Sequence, residues 1–144
     1  MGSPRSVNFL SQRTAEALPG DASVYLISIT DGLPAQVSGH WAGLLRLSFH
    51  DVEPEWAMPG QRLMDVGQAE AIARLANEAA GVDADIIVHC QAGISRSGAV
   101  AFALCEHWRL PFDGEHKECN THVLNRTRAA LARFSPKSTN DPPC

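Results

Sequence analysis

Between Asp83 and Trp108 the chain changes its pattern twice, and those changes restrict its fold more than any other feature. Ile86-Ile87-Val88 is short, apolar and β-branched, bounded by Asp83 and Asp85, which predicts a buried strand. Ala99-Val100-Ala101-Phe102-Ala103-Leu104 is Ala-rich and continues to about Trp108, which predicts a helix buried on most faces. The stretch between, His89-Cys90-Gln91-Ala92-Gly93-Ile94-Ser95-Arg96-Ser97-Gly98, therefore runs from a strand end to a helix N-terminus. Backbone N–H groups there lack intrahelical partners, and the helix dipole favours negative charge. Such a place suits two anions, a thiolate and a phosphate.

The residue types fit that use. A thiol attacks as thiolate, and helix N-termini and nearby cations lower its pKa. Cys90 has Arg96 at the other end of the turn, whose planar fork of donors matches two phosphate oxygens. Gly93 and Gly98 are expected to let the backbone bend and approach a ligand closely. Ser97 is placed to hydrogen-bond the sulfur and make it a better leaving group.

Cys-x5-Arg followed by Ser and preceded by His resembles the signature of the cysteine-dependent protein phosphatases. The string HCQAGISRS is most similar to the dual-specificity branch. The resemblance is strong from about Leu44 to Trp108 and weaker at both ends. It implies an α/β fold of three layers, with a mostly parallel central sheet flanked by helices. It also implies a double displacement through a phosphocysteine, needing no metal and no cofactor. Cys90 would attack phosphorus, while backbone N–H groups of Gln91, Ala92, Gly93, Ile94, Ser95 and Arg96, with the Arg96 side chain, bind the oxygens. His89 would orient the loop backbone and help set the thiol pKa. The general acid of the family is an Asp on a mobile loop after a strand, and Asp51 sits there, further ahead of the cysteine than is usual. Glu53 and Glu55 remain candidates on the same loop, whereas Asp65 is better placed as a helix cap.

The chain of 144 residues reads as one catalytic domain, 1–144, large enough for a real core. Its 44% hydrophobic and 19% charged content is that of a globular protein, and a net charge of −4 argues against a general nucleic-acid binder. No apolar run approaches membrane-spanning length, so no membrane partner is expected. Cys90, Cys105, Cys119 and Cys144 are not spaced as a disulfide framework. A nucleophilic thiol needs a reducing compartment, which gives a cytoplasmic expectation.

Periodicity and turn residues divide the rest. Residues 1–6 and 136–144 read as loose tails. Val7–Leu10 reads as a short strand, and Ser11 caps a brief helix through Leu18 that Pro19-Gly20 ends. Val24–Ile29 is a strand closed by Asp31-Gly32, Leu33–Trp41 is ambiguous, and Leu44–His50 is a further strand ending at Asp51. Val52–Leu63 is a loop. Asp65 and Gln68 form a capping-box pair opening a helix that runs to Ala80 and stops at Gly81. Leu110–Glu118 is a polar connection, and a last helix runs from about Thr121 to Phe134. Strands alternating with helices put ligands beyond the carboxyl ends of the strands.

Three further observations bear on the substrate and on competing chemistries. Gln91, Ala92 and Ile94 carry no charge, whereas phosphatases of inositol phosphates tend to carry Lys in this loop. That favours a singly phosphorylated protein or peptide. Trp56 and Met58 either flank an aromatic ring or fasten the loop to the body. His116, Cys119 and His122, with His107 upstream, have spacing open to zinc but lack a second tight ligand pair. Arg126, Arg128 and Arg133 read as the solvated face of the last helix. Two other functions stay open: a phosphatase of a non-protein phosphoester, and a phosphate-reading module with negligible turnover.

Overall fold

A computed structural model describes residues 2–114 and 118–134. The elements are β1 (Ser6–Ser11), α1 (Gln12–Glu16), β2 (Asp21–Thr30), β3 (Trp41–Ser48), a 3-10 turn at Pro54–Trp56, α2 (Val66–Gly81), β4 (Asp85–Cys90), α3 (Arg96–Trp108) and α4 (Thr121–Arg133). The sheet runs β1-β4-β2-β3, and every pairing is parallel. All four strands therefore end on one edge. The residues just beyond each strand collect there: Gln12 after β1, Asp31 after β2, Phe49 to Asp51 after β3, and Gln91 to Ser95 after β4.

The main core lies between the sheet and α2, α3 and α4. Ile27, Ile29, Ile86, Val88, Ile72 and Leu104 meet there with no exposed surface. Each such side chain contributes about 1.5–3 kcal/mol by leaving water. Ala69, Ala73, Ala76 and Ala79 line the buried stripe of α2, so that helix lies close against its neighbours. In α3, nine of 13 residues are buried, which brings its N-terminus and Arg96 inside the protein. Leu26, Ser28 and His89 alternate with Ile27, Ile29 and Val88 and so face the other side of the sheet, where they too are buried. The 31–40 segment follows β2. That segment is tied down where Arg46 Nη1 donates to Ala35 O (3.0 Å) and Gln36 N–H donates to Glu16 (2.8 Å).

Several boundaries differ from the sequence expectation, each for a tertiary reason. Arg5 and Ser6, expected in the loose N-terminal tail, are part of the sheet edge. Arg5 N–H donates to Ala84 O (2.9 Å) and Ser6 Oγ to Asp85 (2.7 Å). The 136–144 tail lies outside the described residues. β3 begins at Trp41 rather than Leu44, because pairing with β2 recruits Gly43 opposite Tyr25. A Cβ at Gly43 would come within 2.6 Å of the Tyr25 ring, so the glycine makes room for that ring. Ser11 caps α1 by accepting from Thr14 N–H (3.1 Å), but the helix ends at Glu16, before Leu18. Asp65 and Gln68 form the expected capping box. Gly81 is the last residue of α2 rather than its stop, and the left-handed residue that turns the chain is Asp83, at φ 53°.

Candidate active site

Cys90 is the last residue of β4 and 2% exposed. Its Sγ lies 3.1 Å from Ser97 Oγ and accepts from Gly93 N–H at 3.3 Å. Burial is the largest influence on this thiol and pushes its pKa up. The Ser97 hydroxyl and the backbone N–H groups of Ser97, Ile94 and Gly93 outweigh it, so the pKa is lowered on balance. The expected cause was partly Arg96. The groups that hold the thiol down are instead the hydroxyl and the amides, while the Arg96 charge is paired with Asp31. The other described thiols shift in the opposite direction. Burial pushes the Cys105 thiol up to about 11 and raises Cys119 as well. Iodoacetate near neutral pH is therefore expected to alkylate Cys90 ahead of Cys105 and Cys119, and inorganic phosphate to protect it. Peptide mapping by mass spectrometry that finds either of the others labelled first would contradict this assignment.

The loop keeps its shape through its backbone. Gly93 has φ +74°, and a Cβ there would fall 2.4 Å from Ser11 N, so β1 leaves space for glycine alone. Gln91 O accepts from Gln12 N–H (3.2 Å). Gly98, expected to allow close approach, is a helical residue of α3, and a Cβ there would make ordinary contact with Cys119. Gln91, Ala92 and Ile94 are exposed around the loop.

His89 is fully buried, with Nε2 2.6 Å from Ser28 Oγ and Nδ1 3.4 Å from Cys90 O. A carbonyl only accepts, so Nδ1 carries the proton and Nε2 accepts from the Ser28 hydroxyl. Burial lowers the His89 pKa and favours the neutral ring. The ring thus reaches the loop through the Cys90 carbonyl.

Arg96 is 3% exposed. Nη1 donates to Asp31 Oδ1 (2.6 Å) and to Phe49 O (2.7 Å), which ties the side chain to the ends of β2 and β3. Nε is buried and has no hydrogen-bond partner among the described residues. A buried donor left unpaired costs about 1–3 kcal/mol, more when charged. This Nε is thus a charged donor whose capacity no described group uses.

Asp51 is exposed and reaches the end of the loop. Its Oδ1 accepts from Ser95 Oγ (2.8 Å) and from Asn120 Nδ2 (2.9 Å). The other acidic candidates are placed otherwise. Glu53 accepts from Thr121 N–H (2.7 Å) and His122 N–H (3.1 Å) at the start of α4, and Asp65 caps α2. Glu55 is exposed in the 3-10 turn. Trp56 and Met58 are 73% and 65% exposed, so they do not fasten the loop to the body. Of the zinc candidates, His122 Nε2 donates to Met64 O (2.9 Å), and His116 lies outside the described residues. Arg128 pairs with Glu106 and Arg133 with Glu70 across helices.

Sequence reading missed three members of this constellation. In the sequence Asp31 reads as a turn residue and Ser95 as a backbone donor, and Asn120 has no role assigned. A signal existed for Asn120, an N-cap residue directly before an amphipathic run. None existed for Asp31, whose role depends on a residue 65 positions away.

No family model matches the chain, and no curated protein matches it. Among solved structures it is similar to a point variant of human DUSP28, with 18% identity over 90% of this chain and 80% of that one and a TM-score of 0.49. It is also similar to PTPMT1, with 12% identity over 96% of this chain and 98% of that one and a TM-score of 0.52. With its parallel sheet and its β4–loop–α3 unit, the chain has the α/β fold of the dual-specificity phosphatases.

Proposed function

We propose that the protein is a cysteine-dependent phosphatase that hydrolyses phosphotyrosine in proteins or peptides, with a site also open to phosphoserine and phosphothreonine. One observation carries the reading. The Cys90 thiol of lowered pKa and the unpartnered, buried Nε of Arg96 belong to one loop, and a phosphoryl group answers both. In the first step the Cys90 thiolate attacks phosphorus as the P–O bond to the substrate breaks. The leaving oxygen takes a proton from Asp51. In the second step water attacks phosphorus, the S–P bond breaks, and inorganic phosphate leaves. Asp51 accepts the water proton, and the Ser97 hydroxyl stabilises the departing thiolate. Arg96 Nε and the loop amides of Gln91 to Arg96 bind the phosphoryl oxygens throughout, which is electrostatic preorganisation. His89 holds the Cys90 carbonyl and so the loop backbone. The exposed Trp56 and Met58 and the uncharged loop residues favour an apolar, singly phosphorylated group over a polyphosphorylated one.

Turnover of a generic aryl phosphate tests the reading against a phosphate-binding module without activity. A panel of phosphopeptides, nucleotides and phosphoinositides tests it against a non-protein phosphoester, and preference for either of the latter two would displace it. The general acid has its own signature. Phosphotyrosine leaves as a basic phenoxide and needs the proton, whereas an activated aryl phosphate needs it much less. Asp51→Asn is expected to slow a phosphotyrosine peptide by about 10²–10⁴-fold while leaving the activated ester nearly unaffected. Equal slowing of both, or the selective loss appearing in Glu55→Gln instead, would move the role away from Asp51.

A further inference from the structure

Besides its pairing of Arg62 with His50 and Ser48, the acid loop is tied at both ends to one short segment at the start of α4. Asn120 Nδ2 donates to Asp51 Oδ1 (2.9 Å) and to Val52 O (3.3 Å), at the loop's beginning. Glu53 spans the N–H groups of Thr121 and His122, and His122 Nε2 donates to Met64 O at the loop's far end. Asn120 also touches the catalytic loop, because its own N–H donates to Ser95 O (3.1 Å). The residue is 3% exposed, and its Oδ1 caps α4 by accepting from Val123 N–H (3.0 Å).

Capping explains only half of this side chain. A cap needs an acceptor, which Asp, Ser or Thr supplies as well as Asn. The amide group is what Asn adds, and it goes to Asp51 and Val52. Ser95 Oγ adds a second donor to the same Asp51 oxygen at 2.8 Å. The Asn120 Nδ2 group can only donate, so a proton on Asp51 Oδ1 would face it head-on. The proton of neutral Asp51 is thereby directed to Oδ2.

We propose that Asn120 is a positioning residue for proton transfer. It holds Oδ1 of Asp51, leaves the proton on Oδ2, and locks the acid loop to the catalytic loop through Ser95. This rests on Asp51 being the general acid. The expected consequence is a loss confined to substrates whose leaving group needs protonation. Asn120→Asp keeps the cap and replaces the donor with an acceptor of like charge to Asp51. Asn120→Ser also keeps the cap, without the charge, and is too short to restore the contact.

The experiment compares wild type, Asp51→Asn, Asn120→Asp, Asn120→Ser and the Asp51→Asn/Asn120→Ser double variant. Each is assayed on a phosphotyrosine peptide and on an aryl phosphate with an acidic phenol, and thermal melting reports whether α4 stays in place. Both Asn120 variants are expected to lose about 10–10²-fold in kcat on the peptide, a part of the general-acid contribution. They should change little on the activated ester, and the double variant should be no slower than Asp51→Asn alone. Equal losses on both substrates by Asn120→Ser at unchanged melting temperature would overturn the proposal, as would losses that multiply in the double variant. If Asp51→Asn itself shows no dependence on the leaving group, the general-acid reading fails. If Asp51→Asn shows it and neither Asn120 variant does, the positioning role alone fails.

Discussion

Replacing Cys90 with serine is expected to abolish turnover while phosphopeptide binding survives. A serine hydroxyl ionises far less readily than this thiol, and the donors around Sγ cannot make up the difference. Loss of an attacking group of this kind reduces kcat by about 10⁴–10⁶-fold. Binding should persist because it depends on other atoms: Arg96 Nε, still buried without an acceptor, and the loop amides held by Gly93 and by the Gln12–Gln91 contact. Ser97 Oγ, 3.1 Å from the sulfur, offers the new hydroxyl a partner, so the loop is expected to keep its shape. Stopped assays and calorimetric titration with a phosphotyrosine peptide check the two halves separately. Residual turnover near that of wild type would remove Cys90 as nucleophile. Loss of binding together with turnover would show that the thiol shapes the loop.

Replacing Arg96 with lysine should also be damaging, although it conserves the charge. The guanidinium uses Nη1 for Asp31 and Phe49 O, and in the proposed mechanism its Nε binds the phosphoryl group. A lysine ammonium is a single point of donors. Attracted to Asp31 and the Phe49 carbonyl, it has nothing at the position of Nε. The buried charge stays paired, so the fold is expected to hold. Removing one such donor from a transition state costs about 10²–10³-fold in kcat, and here the paired geometry goes with it. Inhibition by inorganic phosphate should weaken in parallel. Wild-type kinetics in Arg96→Lys would take Arg96 out of the phosphate site.

The same side chain explains why part of the site could be read in advance and part could not. Cys90, Arg96 and Ser97 lie within one turn and the first residues of a helix, so their meeting is a local matter. A strand, a Gly-containing turn and a helix start bring them together whatever the rest of the chain does. The place of Asp51 was legible for a related reason: it follows an apolar strand, three residues past the Ser48 end of β3, and parallel strands in one sheet end on one edge. Asp31 follows a strand too, but nothing local distinguishes it from any Asp-Gly turn. Only the order β1-β4-β2-β3, which sets β2 beside β4, turns its carboxylate toward Arg96. Asn120 obeys the same logic at longer range. Its cap was local, and its hold on Asp51 spans 69 residues.

The strand–loop–helix unit, the thiol at its strand end, the guanidinium at its helix start and the Asp65–Gln68 capping box were thus written locally in the chain. Each depends on backbone preferences and hydrogen bonds within a few residues. The groups that hold them in place came from the packed fold: Asp31 and Phe49 O on Arg96, Ser28 on His89, β1 against Gly93, and Asn120 with Ser95 on Asp51. Those contacts join residues far apart in the chain, and burial supplies the physical reason for them. Inside the protein a charged or polar group must find a partner wherever the fold brings one, and which partner that is depends on strand order and helix placement.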